Sequence, residues 1–127
     1  MKAVELRVQG WGTALGDRLM FQRALSNLLS NAIRHSPEGE RVELRIERSG
    51  SEVWLSVENQ GPGIATEHQS RLFERFYRVG PGRSRLEGGT GLGLAIVKSI
   101  MQLHGGRVEV NSSPLGPTRF TLVFPAE

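Results

Sequence analysis

Two stretches decide the fold: Arg18–His35, RLMFQRALSNLLSNAIRH, and Arg41–Val57, RVELRIERSGSEVWLSV. In the first, Met20, Ala24, Leu25, Leu28, Leu29, Ala32 and Ile33 recur at three- and four-residue intervals, which predicts a helix with one apolar stripe. Asp17 stands where a helix N-cap belongs, and Ser36-Pro37-Glu38-Gly39 stops the helix. In the second stretch the period falls to two. Val42, Leu44 and Ile46 share one face; Ser49-Gly50-Ser51 is a turn; Val53, Leu55 and Val57 return, with Trp54 on the other face. That is a β-hairpin.

The same reading extends outward. Ala3 to Val8 alternates, with Val4, Leu6 and Val8 on one face, and predicts a short half-buried strand. Gly10, Gly12 and Gly16 make a loop. After the hairpin comes a tight loop, Asn59-Gln60-Gly61-Pro62-Gly63, and then a short helix over Thr66 to Arg75. Residues 78–90 hold four glycines, one proline and three arginines with few apolar anchors, the composition of a mobile loop. Gly91 to His104 reads as a second long helix with Leu92, Ala95, Ile96, Ile100 and Leu103 as its buried stripe, ended by Gly105-Gly106. Val108–Val110 and Phe120–Phe124 are two last strands. The order β, α, ββ, short α, loop, α, ββ predicts an α+β, two-layer α/β sandwich. Its mixed, largely antiparallel sheet has about five strands, with three helices on one face.

At 127 residues, 38% apolar and 23% charged, the chain is the size of one globular domain. It has no cysteine, which excludes a disulfide scaffold and thiolate chemistry. No apolar run approaches the ~18 residues that span a membrane. The net charge is +3, and Asp17 is the only aspartate, so chemistry built on aspartate clusters has no place here. Most arginines stand beside glutamates (Glu40-Arg41, Glu43 and Arg45, Glu47-Arg48) and read as a solvated strand face, without the basic stripe and interleaved aromatics of a nucleic-acid binder. Arg71, Arg75, Arg78, Arg83 and Arg85 have few acids near them. They suit a phosphate-bearing ligand or an acidic partner, and equally a solvated helix end and loop.

Asn27, Asn31 and His35 are spaced by four and share one helix edge, with Arg34 beside them. Asparagine is a poor interior helix former. Two on one edge suit neutral oxygen ligation of a hard cation such as Mg²⁺; hydrogen bonding of the amides to a neighbouring loop is the plainer alternative. Asn59-x-Gly61-x-Gly63 and Gly88-Gly89-Thr90-Gly91-Leu92-Gly93 let backbone approach a ligand closely, and the second enters a helix start, which favours phosphate. No lysine follows it as a P-loop requires, and Leu94 occupies the third glycine position of a dinucleotide fingerprint.

Together these residues resemble the ATP-binding catalytic domain of the histidine kinases. Asn27-Leu28-Leu29-Ser30-Asn31-Ala32 is similar to the N box, Asn59-Gln60-Gly61-Pro62-Gly63-Ile64 to the G1 box, and Leu72-Phe73-Glu74-Arg75-Phe76-Tyr77 to the F box. Gly89-Thr90-Gly91-Leu92-Gly93-Leu94-Ala95-Ile96-Val97-Lys98 is similar to the G2 box. The four occur in the family's order over roughly residues 16 to 125. The wider group is the gyrase/Hsp90/histidine kinase/MutL superfamily with its Bergerat fold. The resemblance implies that the chain, 1–127, is one ATP-binding catalytic domain. Mg²⁺ is held by Asn31 with help from Asn27, and Arg34 faces the phosphates, these three being the catalytic set. His35 lies near the nucleoside. Gly61, Gly63 and Ile64 shape the adenine pocket; residues 78–90 form an ATP lid, and Phe76 anchors it. Gly89, Thr90, Gly91, Leu92, Gly93 and Leu94 bind the nucleotide, the glycines bringing N–H groups to phosphate.

By the same resemblance the phosphoryl group goes to a histidine on a separate helical dimerisation domain, with a response regulator downstream. The chain is then the cytoplasmic part of a longer inner-membrane sensor kinase. None of His35, His68 and His104 has the acidic neighbour of the family's phosphoacceptor motif. Val57-Glu58-Asn59 resembles the heavy-metal sensor subgroup. Two positions depart from the pattern. Asn59 stands where the G1 box has aspartate; an amide both accepts and donates, so adenine recognition survives without charge assistance, with a bond roughly twofold weaker. Asn27 stands where the gyrase and Hsp90 branches have a water-activating glutamate, and an amide is no general base. That disfavours a superfamily ATPase clamp. A non-catalytic nucleotide- or partner-binding module with a degenerate G1 box is the other alternative.

Overall fold

The structure is a computed structural model that describes residues 5–10, 12, 14, 16–61, 63–74, 93–112 and 115–125. Within them the elements run β1 (Glu5–Gln9), α1 (Arg18–His35), β2 (Arg41–Ser49), β3 (Glu52–Asn59), α2 (Thr66–Gln69), α3 (Gly93–Leu103), β4 (Arg107–Ser112) and β5 (Thr118–Pro125). Five strands form one mixed sheet in the order β1-β2-β3-β5-β4. Only β1 with β2 is a parallel pair; the others are antiparallel. This is the α+β two-layer sandwich that the element order predicts.

Local chemistry explains the boundaries. The Asp17 carboxylate accepts the Met20 N–H at 3.1 Å and so caps α1, satisfying a donor that the helix itself leaves open. Arg34 and His35 occupy its last turn, where cations complement the helix dipole. Gly50, at φ 59°, turns β2 into β3 so that Ser49 faces Glu52.

The core lies between the helix layer and the inner sheet face. From α1 come Ala24, Leu28 and Ala32, from α3 Val97, Ile100 and Met101, and from the sheet Val42, Leu44, Val53, Val57, Phe120, Leu122 and Phe124. Burying each larger side chain contributes about 1.5–3 kcal/mol. The outer sheet face is a lattice of ion pairs: Arg119 with Glu58 at 2.9 Å, Arg107 with Glu52 at 2.9 Å and Glu109 at 2.7 Å, and Arg45 with Glu43 at 3.0 Å. The solvated strand face read from the Glu/Arg alternation is this one.

Several boundaries differ from the sequence reading. Leu6 and Val8 are more than half exposed. Their register opposite Val42 and Leu44 aims them at the inner face, but among the described residues α1 packs mainly on β3 and α3 on β4 and β5, away from this edge. The short helix ends at Gln69, not Arg75; beyond it the chain continues in i→i+3 turns, Arg71 to His68 and Glu74 to Arg71. In α3 the buried stripe is Val97, Ile100 and Met101, and Leu103 is exposed. In α1, Met20 and Ile33 lie at the rim of the stripe and are exposed, while Phe21 packs edge-on to Phe124 at 4.7 Å. β4 and β5 are longer than predicted because the ladder runs on to Ser112 opposite Thr118.

At one end of the helix layer α1 and α3 are joined through His104. A carbonyl only accepts, so the 2.8 Å contact to the Ile100 oxygen makes Nδ1 the donor; Nε2 then accepts the Asp17 N–H at 3.1 Å. The ring also stacks, tilted, on Phe21 at 4.6 Å.

Candidate functional site

Asn27 of the N box and Gly93 of the G2 box meet where the start of α3 approaches the middle of α1. A Cβ placed on Gly93, the first residue of α3, would sit 4.0 Å from the Asn27 side-chain carbon. Asn27 and Asn31 are half-buried, and Arg34 and His35 are exposed on the same helix. The Nδ2 of Asn27 is buried and has no hydrogen-bond partner among the described residues. A buried amide left unsatisfied costs about 1–3 kcal/mol, so an occupant that accepts its N–H, or takes its oxygen, would recover that cost.

These residues fit a hard cation carried by a phosphate ligand. The amides offer neutral oxygen and N–H groups side by side, and Mg²⁺ takes oxygens while keeping several waters. Among the described residues no cluster of three His, Cys, Asp or Glu could hold a metal ion. A cation here would thus draw its anionic ligands from the nucleotide phosphates.

The G1 loop closes the neighbouring side. Asn59 ends β3 and is 2% exposed. One of its amide hydrogens goes to the Gln60 carbonyl at 3.0 Å, leaving the oxygen and the second N–H for a base. Gly61 adopts φ 122°, and a Cβ there would lie 2.8 Å from the His35 carbonyl and 3.1 Å from the Pro37 ring. Only glycine permits that approach. The loop is therefore wedged against the end of α1, and glycine at 61 serves backbone packing as well as ligand access. On its far side a Cβ on Gly116 would collide with the Gly61 carbonyl, so the β4–β5 turn forms the third wall. Gly63 and Ile64 are half-buried in this loop.

The sequence reading missed Thr118, Ser112 and Gln69, which the structure groups with Asn59 and the G1 loop. Asn59, Thr118 and Ser112 are register partners across β3, β5 and β4, so they share the inner face in one row. Thr118 is 3% exposed, and its hydroxyl pairs with Ser112 at 2.8 Å. Ser112 Oγ accepts the Ile64 N–H at 2.9 Å, and Gln69 reaches the Ile64 carbonyl at 2.8 Å. Thr118 occupies the parity that Phe120, Leu122 and Phe124 fill with apolar groups; a hydroxyl in that series was the available signal.

Leu94, with Gly93, opens α3 and packs partly against the core. Phe76, Gly89, Thr90, Gly91 and Leu92, the 78–90 lid, and Arg78, Arg83 and Arg85 lie outside the described residues. A cleft of about 270 Å³ lies on the outer sheet face, lined by Glu43, Arg45, Trp54, Glu58 and Arg119 among others. Its charges are satisfied by one another, and it contains none of the N-box, G1 or G2 residues. On the same outer face, neighbouring charges shift two ionisable groups. Hydrogen bonds from Arg107 and Trp54 hold the Glu52 carboxyl below its ordinary range, and Glu109 and Glu52 raise Arg107.

The protein-family model described as "Histidine kinase-, DNA gyrase B-, and HSP90-like ATPase" matches residues 16–127. The chain belongs to this family. It is 52% identical over 126 residues to the sensor histidine kinase CusS of Escherichia coli (strain K12), covering 98% of this chain and 26% of that protein. It is 46% identical over 123 residues to the sensor protein IrlS of Burkholderia pseudomallei (strain K96243), covering 97% and 26%. Among solved structures, the mycobacterial sensor histidine kinase MprB superposes with a TM-score of 0.83 at 36% identity, over 97% of this chain and 82% of that one. The chain spans about a quarter of the length of the curated relatives it matches. Among the described residues no helix is long and apolar enough to cross a membrane.

Proposed function

We propose that the domain binds Mg-ATP between α1, α3 and the G1 loop and donates the γ-phosphoryl group to a histidine on a separate helical dimerisation domain. The observation that carries this is the buried, unpartnered Asn27 amide facing the Gly93 start of α3. Asn31 and Asn27 would hold Mg²⁺, which when bound neutralises charge on the phosphates. Arg34, exposed at the end of α1, stands where a polyanion would leave the pocket. Asn59, in the buried row with Thr118, would read the adenine edge. Residues 78–90 would close over the phosphates as a lid.

In the transfer, an imidazole nitrogen of the partner attacks the γ-phosphorus and the bridging oxygen leaves on ADP. This chain's residues contribute position and charge balance. Asn27 supplies no carboxylate to activate water, which favours transfer to an external nucleophile over hydrolysis. The names of CusS and MprB support the kinase reading. A cytoplasmic location beneath a membrane sensor, a response regulator downstream and a heavy-metal stimulus belong to the same proposal. Calorimetry with a non-hydrolysable ATP analogue and Mg²⁺ tests it, followed by phosphohistidine formation on the isolated helical domain. Binding should be lost in Asn31→Ala. Unchanged binding and unchanged phosphotransfer in that variant would overturn the assignment.

A further inference from the structure

The base-side loop between β3 and α2 is built from flexible parts and yet held at both backbone groups of one residue. Gly61 and Gly63 flank it, and Ile64 follows directly. The Ile64 N–H is taken by Ser112 Oγ at 2.9 Å, and its carbonyl by Gln69 Nε2 at 2.8 Å. The same Gln69 nitrogen also donates to the Ser112 carbonyl at 3.0 Å. A side-chain amide has two N–H groups; one goes to the loop and the other to the end of β4. Neither bond belongs to a helix or a ladder. The strap continues through the Ser112–Thr118 hydroxyl pair to the strand position beside Asn59.

We propose that Gln69 is a positioning residue for base recognition: by tying Ile64 to the end of β4 it fixes the G1 loop against Asn59 before nucleotide arrives. The inference rests on the nucleotide-binding reading above and deepens it. A loop with two glycines that is free to sample other conformations binds more weakly by the fraction of time it is correctly placed. The strap's hydrogen bonds run among the loop, α2 and the ends of β4 and β5, away from Asn27 and Gly93 on α1 and α3. Loss of Gln69 should therefore weaken discrimination between bases more than it weakens the hold on phosphates.

The test uses the 127-residue chain and Mg²⁺ with non-hydrolysable ATP and GTP analogues, reading both Kd values by calorimetry. Gln69→Met keeps the unbranched shape and removes both donors. The ATP-over-GTP preference should fall by about three- to tenfold, the size of one net hydrogen bond. Gln69→Lys offers an ammonium with donors for both carbonyls and should retain most of the preference. An unchanged ratio in a folded Gln69→Met chain overturns the proposal, as does equal weakening for both nucleotides, which a merely structural role would give. If Gln69→Met does not fold, Ser112→Ala, which removes the Ile64 N–H acceptor, must lower the same ratio or the proposal fails. Failure of the unmodified chain to bind either nucleotide would instead sink the functional reading itself.

Discussion

Asn27 gives the most direct link between stability and function. Its Nδ2 is buried without a partner while the residue sits in the middle of α1, beside Gly93. Replacing it with leucine, similar in size, removes a buried polar group that has nothing to bond. An unsatisfied group of this kind costs about 1–3 kcal/mol. Leucine's tetrahedral end does not reproduce the planar amide, so imperfect repacking offsets part of that gain, and about 1 kcal/mol is the appropriate figure. Leucine is also the better helix former by a few tenths of a kcal/mol. The nucleotide-free chain should gain about 1–1.5 kcal/mol. For a domain this size that raises Tm by roughly 3–7 °C. The same variant should lose the further rise in Tm that saturating Mg²⁺ and ATP analogue give the unmodified chain, since ligand stabilises only what it binds. Thermal melts with and without nucleotide read both effects. If Asn27→Leu lowers the nucleotide-free Tm, the amide has a structural partner and the reasoning fails. If it melts higher and still responds fully to nucleotide, Asn27 is no part of the site.

The His104 bracket should be worth about 2 kcal/mol, two modest hydrogen bonds and a ring contact. Urea midpoints should therefore fall in the order unmodified, His104→Phe, His104→Ala; equal midpoints for all three would show that the bracket contributes nothing. Acidification tests the outer face. The Glu52 carboxyl is depressed by hydrogen bonds from Arg107 and Trp54, so its small contribution is present above the ordinary carboxylate range and is lost as pH falls through the lowered value. Both partners are solvated, so the Glu52→Gln variant should flatten the acid limb of Tm slightly at low salt and not at high salt; a large effect at high salt would contradict this.

Periodicity made the fold legible. Arg18–His35 and the 41–57 hairpin are strongly periodic, and both appear with boundaries within a residue or two of those read from sequence. What periodicity reports is which residues share a face, and it says nothing of whether a neighbour covers that face. Leu6 and Val8 alternate as a buried strand does, yet α1 and α3 lie over the other strands. Leu103 likewise completes a spacing but falls past the end of the stripe. The N box, G1 and G2 were legible because asparagine and glycine are out of place inside helices and strands unless something requires them. Ser112, Thr118 and Gln69 carry no such signal. Their roles depend on strand register and on contacts more than forty residues apart for Gln69 and Ser112, which no local pattern encodes.

The helix pair is held differently at its two contacts, and that difference agrees with the proposed place of the site. At one end the Asp17 N–H, His104 and Phe21 close α1 on α3, and Phe124 packs beneath. About ten residues, or roughly 15 Å, farther along α1, the contact between the helices is the Asn27 amide beside the Gly93 backbone. The sheet shows the same division. Its inner face is apolar along most of its length and carries a buried polar row at one end, Asn59, Thr118 and Ser112. The helix side offers one unsatisfied amide, Asn27, and the sheet side fixed amide and hydroxyl groups. The hydrophobic core alone would have been more stable with leucine at 27 and valine at 118. That both positions are polar is what a binding site requires and what packing does not.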